Sequence, residues 1–242
     1  MELSVVIPVL NEAENVGPLL EEVVAALSGG PEFEVVYVDD GSDDATPRLL
    51  AELSGRFPML RVVTHARRYG QSAAIRTGVI AARAPWIATL DGDRQNVPAD
   101  LPRLWARASA PDAPAMIAGQ REKRRDSWTK RVSSRIANRV RGALLKDGVT
   151  DTGCGLKMFR RDVFLMLPHF DHMHRYLPAL VRRQGYRVET AQVGHRHRPA
   201  GTSKYGTLDR LIVGISDLLG VYWLIRRSNF PVETKGPAGP AE

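Results

Sequence analysis

The chain has 242 residues, 43% of them hydrophobic and 25% charged, with a formal net charge of +7. That balance belongs to a soluble globular protein long enough to bury one full core, and the single cysteine, Cys154, excludes an internal disulfide and fits a reducing compartment. No basic leader precedes the strand-like start, and the longest nearly apolar run, residues 211–225, contains Asp217 and falls short of a membrane span, so the expected setting is cytoplasmic.

Taken in chain order, the first half alternates strand and helix signals. LSVVIPV (residues 3–9) is a β-branched run of strand length, and residues 18–27 read as a helix ended by Ser28-Gly-Gly-Pro31. EVVYV (residues 34–38) is a second strand. Residues 46–54 form a second helix, with Thr46 as its N-cap before Pro47. LRVVTH (residues 60–65) is a third strand, residues 71–83 a third helix and WIATL (residues 86–90) a fourth strand. Such alternation implies parallel βαβ units with functional loops at the carboxyl ends of the strands. Asn11-Glu12, Asp39-Asp40-Gly41-Ser42, Arg67-Arg68-Tyr69-Gly70 and Asp91-Gly92-Asp93 then share one sheet edge.

The second half is less regular. MIAGQR (residues 116–121) reads as a strand and residues 127–145 as a basic helix. A glycine-rich turn, TDTGCGLKMFRR, follows over residues 150–161, then a His-rich segment over 169–180 and a basic loop, HRHRPAGTSKYG, over 195–206. Residues 208–227 carry apolar side chains at 208, 211, 212, 215, 219 and 222, an amphipathic helical spacing. Residues 228–242, with three prolines and two glycines, read as a flexible tail. The expected division is therefore a catalytic domain over 1–207, an amphipathic helix over 208–227 and the tail.

Charge divides along the chain. Residues 1–60 hold twelve Asp or Glu against two Arg, and residues 121–141 hold nine Lys or Arg against Glu122 and Asp126. A basic block of that kind suits nucleic acid, an anionic membrane or phosphorylated substrates, and is also found as a merely solvated helix face.

Asp91 and Asp93, separated only by a glycine, repel each other. A lone pair of this kind is commonly a turn or helix cap, and an acid/base role needs a substrate held between the carboxylates. A hard divalent ion is the better account: Mg²⁺ takes one or two carboxylates plus substrate phosphates. Side chains at i and i+2 of an extended segment point the same way, so Asp91 and Asp93 could converge on one ion, with Gln95 offering a third oxygen. An acidic residue after the second strand, Asp40 in preference to Asp43 or Asp44, can bond a ribose hydroxyl or a base N–H. Neither a G-x-G-x-x-G after the first strand nor a P-loop sequence occurs, which disfavours dinucleotide redox and P-loop chemistry.

VVIPVLNEAENV (residues 5–16), VDDGSDDAT (38–46), GQSAAIRTGV (70–79) and DGDRQNVP (91–98) resemble the successive signatures of family 2 glycosyltransferases with a GT-A fold: α/β, a Rossmann-like and mostly parallel central sheet with helices on both faces. DTGCGLKMFRR, HRYLPAL and HRHRPAGTSKYG resemble, more narrowly, the polyprenyl-phosphate sugar synthases, the dolichol-phosphate-mannose-synthase-like branch. The resemblance implies that Pro8, Asn11 and Glu12 cup the nucleoside and Asp40 its base or ribose. It places Mg²⁺ or Mn²⁺ on Asp91, Asp93 and Gln95 against the donor diphosphate. Arg121, Arg131 and Ser134 would receive the acceptor phosphate, and Arg198, Ser203 and Lys204 would close over the diphosphate. The sequence departs from the family pattern at His197, where proline is usual.

The reaction so implied moves a hexose of mannose or glucose type, from GDP-mannose or a UDP-hexose, to polyprenyl phosphate (undecaprenyl or dolichyl) with inversion. The alternatives are transfer to a glycan hydroxyl, which needs a base, and a basic nucleic-acid-binding module, which leaves the acidic sheet edge unexplained. The histidines at 169, 172, 174, 195 and 197 lack zinc-site spacing. The helix from residue 208 either packs on the catalytic domain or lies in the membrane interface with Tyr222 and Trp223 at headgroup depth and Arg226-Arg227 on anionic lipid. The second reading is expected here, with the enzyme peripheral on the cytoplasmic face, or held there by a membrane-protein partner or a second copy.

Overall fold

The structure is a computed structural model that describes residues 1–121, 141–142, 144–145, 147–197 and 207–229, the last span without side chains over 207–213. Four strands, β1 (Leu3–Val9), β2 (Phe33–Asp39), β3 (Leu60–Thr64) and β4 (Trp86–Thr89), alternate with helices α1 (Ala13–Leu27), α2 (Thr46–Arg56) and α3 (Gln71–Ala81). Then come α4 (Leu101–Ala108), β5 (Met116–Arg121), β6 (Lys157–Arg160), α5 (Arg161–Leu165), α6 (Leu177–Arg183), β7 (Val188–Val193) and α7 (Thr207–Arg226). The strands make one seven-stranded sheet in the order β3-β2-β1-β4-β6-β5-β7. The first four are mutually parallel, β6 runs antiparallel to both β4 and β5, and β7 is parallel to β5.

Burial on both faces explains why β1 reads as a continuous apolar run rather than an alternating one. Leu3, Val5, Ile7 and Val9 pack in the cluster that holds Leu19, Leu20 and Val23 of α1 with Leu50 and Leu104. Val6 packs in the other cluster, with Ala74, Ile75 and Val79 of α3 and with Leu177 and Leu180 of α6. Buried polar side chains are bonded across elements: Ser4 Oγ and the Arg83 amide both donate to Glu34 Oε1 at 2.7 Å, and Tyr37 donates to the Val16 carbonyl at 2.8 Å. The order reverses at β1, whose neighbours are β2 and β4, so the crevice beyond the carboxyl ends of β1 and β4 is a topological switch point.

Several local expectations shift. Helix α1 begins five residues earlier than the sequence suggested, with Pro18 tolerated in its second turn. Thr46 is the first helical residue rather than the cap, which is Ala45; the Thr46 hydroxyl instead accepts the Glu12 amide at 2.9 Å. Strands β6 and β7 had no sequence counterpart. The basic segment 127–145 falls almost wholly outside the described residues.

Over residues 214–226 helix α7 divides its apolar side chains between two faces. Val221 is buried, and Leu218, Tyr222, Leu224 and Ile225 pack against the cluster around α3 and α6. Tyr176 donates to the Gly214 carbonyl at 3.2 Å, Arg183 to the Leu224 carbonyl at 3.2 Å, and His172 Nδ1 lies 3.2 Å from Asp217. Ile215, Leu219 and Trp223, spaced by four, are exposed. No helix among the described residues is long and apolar enough to cross a membrane.

Candidate active site

The polar loops after β1, β2, β3 and β4 meet at one edge. The Asn11 amide donates to Ser42 Oγ at 2.9 Å, and the Tyr69 and Gly70 amides donate to Asp40 at 2.8 and 2.7 Å. Gly41, at φ +77°, could not carry a side chain there, because a Cβ would stand 2.6 Å from the Arg67 carbonyl carbon. Asp40 also lies 2.8 Å from His65 Nδ1, so its carboxylate is engaged by three groups of its own chain. Asp39 differs: its Oδ1 accepts both the Ser42 amide and hydroxyl, while its buried Oδ2 has no hydrogen-bond partner in the structure. Pro8 lies within β1, and Glu12 immediately precedes α1, where its carboxylate accepts from Asn15 at 2.6 Å.

The acidic pair sits one step beyond β4. That strand ends at Thr89, so Asp91 and Asp93 occupy a turn and strand pleating is not what brings them together. The turn is fixed from within: the Asp91 amide donates to the buried Asn96 side chain at 2.9 Å, and the Gln95 amide to Asp93 Oδ1 at 3.1 Å. Gln71, at the start of α3, donates to Asp91 Oδ1 at 2.8 Å. Gln95 turns its own amide nitrogen toward the Arg196 carbonyl at 3.5 Å.

Beneath the pair lies the loop leading into β6. Thr89 faces Lys157 in the antiparallel β4–β6 register, and continuing that register sets Asp91 over Gly155. A Cβ on Gly155 would fall 2.2 Å from Asp91 Oδ2, so only glycine leaves the carboxylate its place. Thr89 Oγ1 donates to the Gly155 carbonyl at 2.7 Å, and buried Lys157 donates to the Cys154 carbonyl. Arg121, at the end of β5, grips Asp151 through Nε at 2.6 Å and Nη2 at 2.7 Å. Burial and the neighbouring charge of Asp93 push the Asp91 carboxyl up to about 6 against the opposing pull of Lys157 and Arg121. Burial, the larger effect on Asp151, raises its carboxyl, but Arg121 more than offsets this and holds it below the usual range. Cys154 is buried, which raises its thiol and keeps it out of nucleophilic chemistry.

Of the residues expected to act, Pro8, Asn11, Glu12, Asp40, Asp91, Asp93, Gln95 and Arg121 are described and lie on this edge. Arg131, Ser134, Arg198, Ser203 and Lys204 lie outside the described residues. Gln71, Gly155 and Lys157 were missed; the motif TDTGCGLKMFRR contains two of them, but only the β4–β6 pairing shows what they touch. His174 is no metal ligand candidate: its Nδ1 lies 2.8 Å from Ser72 Oγ, and burial keeps the ring neutral. Among the described residues no group of three or more His, Cys, Asp or Glu side chains forms a metal cage. The pair nevertheless fits a hard cation whose other ligands come from a substrate, since Asp91 is seated in a cradle cut to its carboxylate and carries the repulsion of Asp93.

The model of glycosyl transferase family 2 matches residues 4–167. The chain belongs to glycosyltransferase family 2. It is 35% identical over 243 residues to dodecaprenyl-phosphate galacturonate synthase of Rhizobium johnstonii, a match covering 99% of this chain and 72% of that protein. It is 36% identical over 221 residues to undecaprenyl-phosphate 4-deoxy-4-formamido-L-arabinose transferase of Edwardsiella ictaluri, covering 90% of this chain and 66% of that one. The fold is GT-A. Glucosyl-3-phosphoglycerate synthase of Mycobacterium tuberculosis, solved with Mn²⁺, uridine diphosphate and phosphoglyceric acid, superposes with a TM-score of 0.66 at 20% identity, over 96% of this chain and 80% of that one. As a family 2 glycosyltransferase the protein moves a sugar, and the edge described is where its loops converge.

Two measurements probe this edge. Gly155→Ala is expected to lower sugar transfer about 100-fold, the cost of moving a reacting group by about 1 Å, with a native circular dichroism spectrum; Gly55→Ala, where a Cβ meets open space, serves as the neutral control. Asp91 titrates at about 6 when folded, above its unfolded value of about 3.9. The folded state therefore binds its proton more tightly, and the group's contribution to stability is full below pH of about 4 and lost as pH rises through about 6. In chelator, Asp91→Asn should melt above the wild type at neutral pH, with the gap closing on acidification; a gap that widens at low pH would contradict the assignment.

Proposed function

We propose that the protein transfers a sugar from a nucleoside-diphosphate donor to polyprenyl phosphate, with inversion at the anomeric carbon. The observation that carries this reading is the pairing of opposite charges at one sheet edge: Asp91 and Asp93 on the turn after β4, with Arg121 at the end of β5 close enough to act on Asp91 electrostatically. The acceptor follows from the two relatives, both named for a polyprenyl phosphate although their sugars differ.

In this reading Asn11, Glu12 and Pro8 wall the nucleoside pocket. Asp40 fastens the loops after β2 and β3 to each other. The buried Oδ2 of Asp39 offers an acceptor to a base or ribose donor, since an unpartnered buried carboxylate oxygen costs about 1–3 kcal/mol. Asp91 and Asp93, with Gln95 beside them, would hold Mn²⁺ or Mg²⁺, the former being the ion in the Mycobacterium tuberculosis complex. Such an ion would neutralise charge on the departing diphosphate. Arg121, preset by Asp151, receives the acceptor phosphate, with Arg131 and Ser134 continuing the contact. Arg198, Ser203 and Lys204 clamp the diphosphate. A lipid phosphate is ionised near neutral pH, so the nucleophile needs no strong side-chain base; a glycan hydroxyl would.

The sugar is a pyranose of mannose or glucose type, or one of the modified sugars for which the relatives are named. Lipid access fits α7: exposed Ile215, Leu219 and Trp223 form one apolar stripe, and Arg226 and Arg227 follow at its end, an arrangement suited to an anionic bilayer surface.

A panel of radiolabelled GDP-mannose, UDP-glucose, UDP-galacturonate and the formamido-arabinose donor, offered with undecaprenyl phosphate and Mn²⁺, decides the reaction. Label should enter the organic phase from one donor. EDTA and Asp93→Asn should each reduce transfer to background; transfer that persists in EDTA rules out the metal, and label reaching no lipid rules out the acceptor. Co-sedimentation with vesicles containing anionic lipid tests the stripe. Trp223→Ser with Leu219→Ser should weaken binding about tenfold, a loss of about 1.4 kcal/mol, and binding unaffected by both changes would remove α7 from the contact.

A further inference from the structure

One carboxylate on α1 ties together two chain segments of the donor edge. Glu22, its side chain 25% exposed, takes Arg94 on Oε1, from Nη2 at 2.7 Å and Nε at 3.3 Å. Its Oε2 takes Arg196 Nη1 at 2.7 Å. Arg94 stands directly after Asp93, at φ +60°, a left-handed conformation that costs a non-glycine residue roughly 1–2 kcal/mol. Arg196 is stapled to the same turn: its amide donates to the Gln95 carbonyl at 2.9 Å, and His195 forms an isolated antiparallel bridge with Asn96. Burial opposes the charge on Glu22, but the hydrogen bonds from Arg94 and Arg196 outweigh it and keep the carboxyl below its ordinary range.

An arginine next to an acidic pair has an obvious alternative partner. A guanidinium grips a carboxylate bidentately, and one carried by residue 94 and released from α1 would be held by the backbone within reach of Asp93. There it would compete with any cation for the same oxygens. Arg94 is instead held by a carboxylate 72 residues earlier in the chain. The second oxygen of that carboxylate holds Arg196, so one negative charge lies between two positive ones and offsets part of their mutual repulsion.

We infer that Glu22 is a positioning residue for donor binding: by holding Arg94 and Arg196 on α1 it keeps the guanidinium of Arg94 off Asp91 and Asp93 and fixes the turn that presents them. The inference rests on the reading that this pair receives a metal–diphosphate, and it assigns Glu22 no contact with substrate.

The test is calorimetric titration of the full chain with Mn²⁺ and UDP, and separately GDP, without acceptor. Glu22→Ala should weaken nucleotide binding about tenfold, about 1.4 kcal/mol, and Glu22→Gln should shift it in the same direction. In transfer assays the change should fall on the KM for the donor more than on kcat. The double variant Glu22→Ala with Arg94→Ala should return to within about twofold of wild type, because the competing guanidinium is gone; merely structural damage at Glu22 would not be repaired by a second truncation. Wild-type affinity in Glu22→Ala, or a double variant as weak as the single, overturns the inference and leaves the proposed reaction standing. Wild type that binds neither nucleotide with Mn²⁺ removes the reading of the pair and the inference together.

Discussion

The seat of Asp91 on Gly155 is the constraint from which the rest of the site follows. A carboxylate in that position is partly removed from water and faces the charge of Asp93, and both effects disfavour its ionised form. It is kept in place because β6 runs antiparallel beside β4, which brings a glycine, and no larger residue, beneath the turn. The antiparallel strand inserted into an otherwise parallel run is therefore more than a topological detail. It supplies the floor of the site and carries Lys157 and the loop of Asp151, whose partner Arg121 ends the next strand.

Such a pair stays available to an incoming cation only if the protein's own cations are held elsewhere. Among the described residues, three basic side chains around it have other acceptors. Arg94 is on Glu22, Arg121 is on Asp151, and Lys157 donates to the Cys154 carbonyl. Gln71, which does reach Asp91, is neutral. Lys157 and Arg121 thus act on the charge of Asp91 from a distance and Arg94 is held by α1, an arrangement suited to a ligand that is itself a metal bound to an anion.

Much of this edge was legible in the sequence because parallel strands buried on both faces announce themselves as short β-branched runs, and whatever polar residues follow them must share one rim. Leu3–Val9 and Met116–Arg121 have the bounds their apolar patterns suggested. What escaped has physical causes. Strand β6 is four residues long and includes Lys157 and Arg160, and β7, VETAQV, alternates weakly, so neither carries a local signal; both are specified by pairing with distant partners. The pleat argument for Asp91 and Asp93 does not hold, because both stand in a turn beyond the end of β4. Asp40 was preferred to Asp43 and Asp44 by position, whereas hydrogen bonding engages Asp40 with its own chain and leaves the buried Oδ2 of the neighbouring Asp39 without a hydrogen-bond partner.

Helix α7 shows the same limit from the other side. Its apolar spacing did not say which face would be covered, since a helix that packs on a domain and a helix that meets lipid have similar periodicity. Here the structure shows which side is covered: the Val221 side is in the core, while Ile215, Leu219 and Trp223 are exposed. The helix is also fastened toward the site. Asp217 meets His172, His174 two residues on bonds Ser72 at the start of α3, and the adjacent Gln71 donates to Asp91. Each link is short and most of them are polar, so the path runs from the outward helix to the acidic pair through a few fixed side chains. Any surface that holds the outer stripe of α7 therefore holds the sheet edge at a set offset from itself, as an enzyme must if its second substrate carries a phosphate on a chain anchored in lipid.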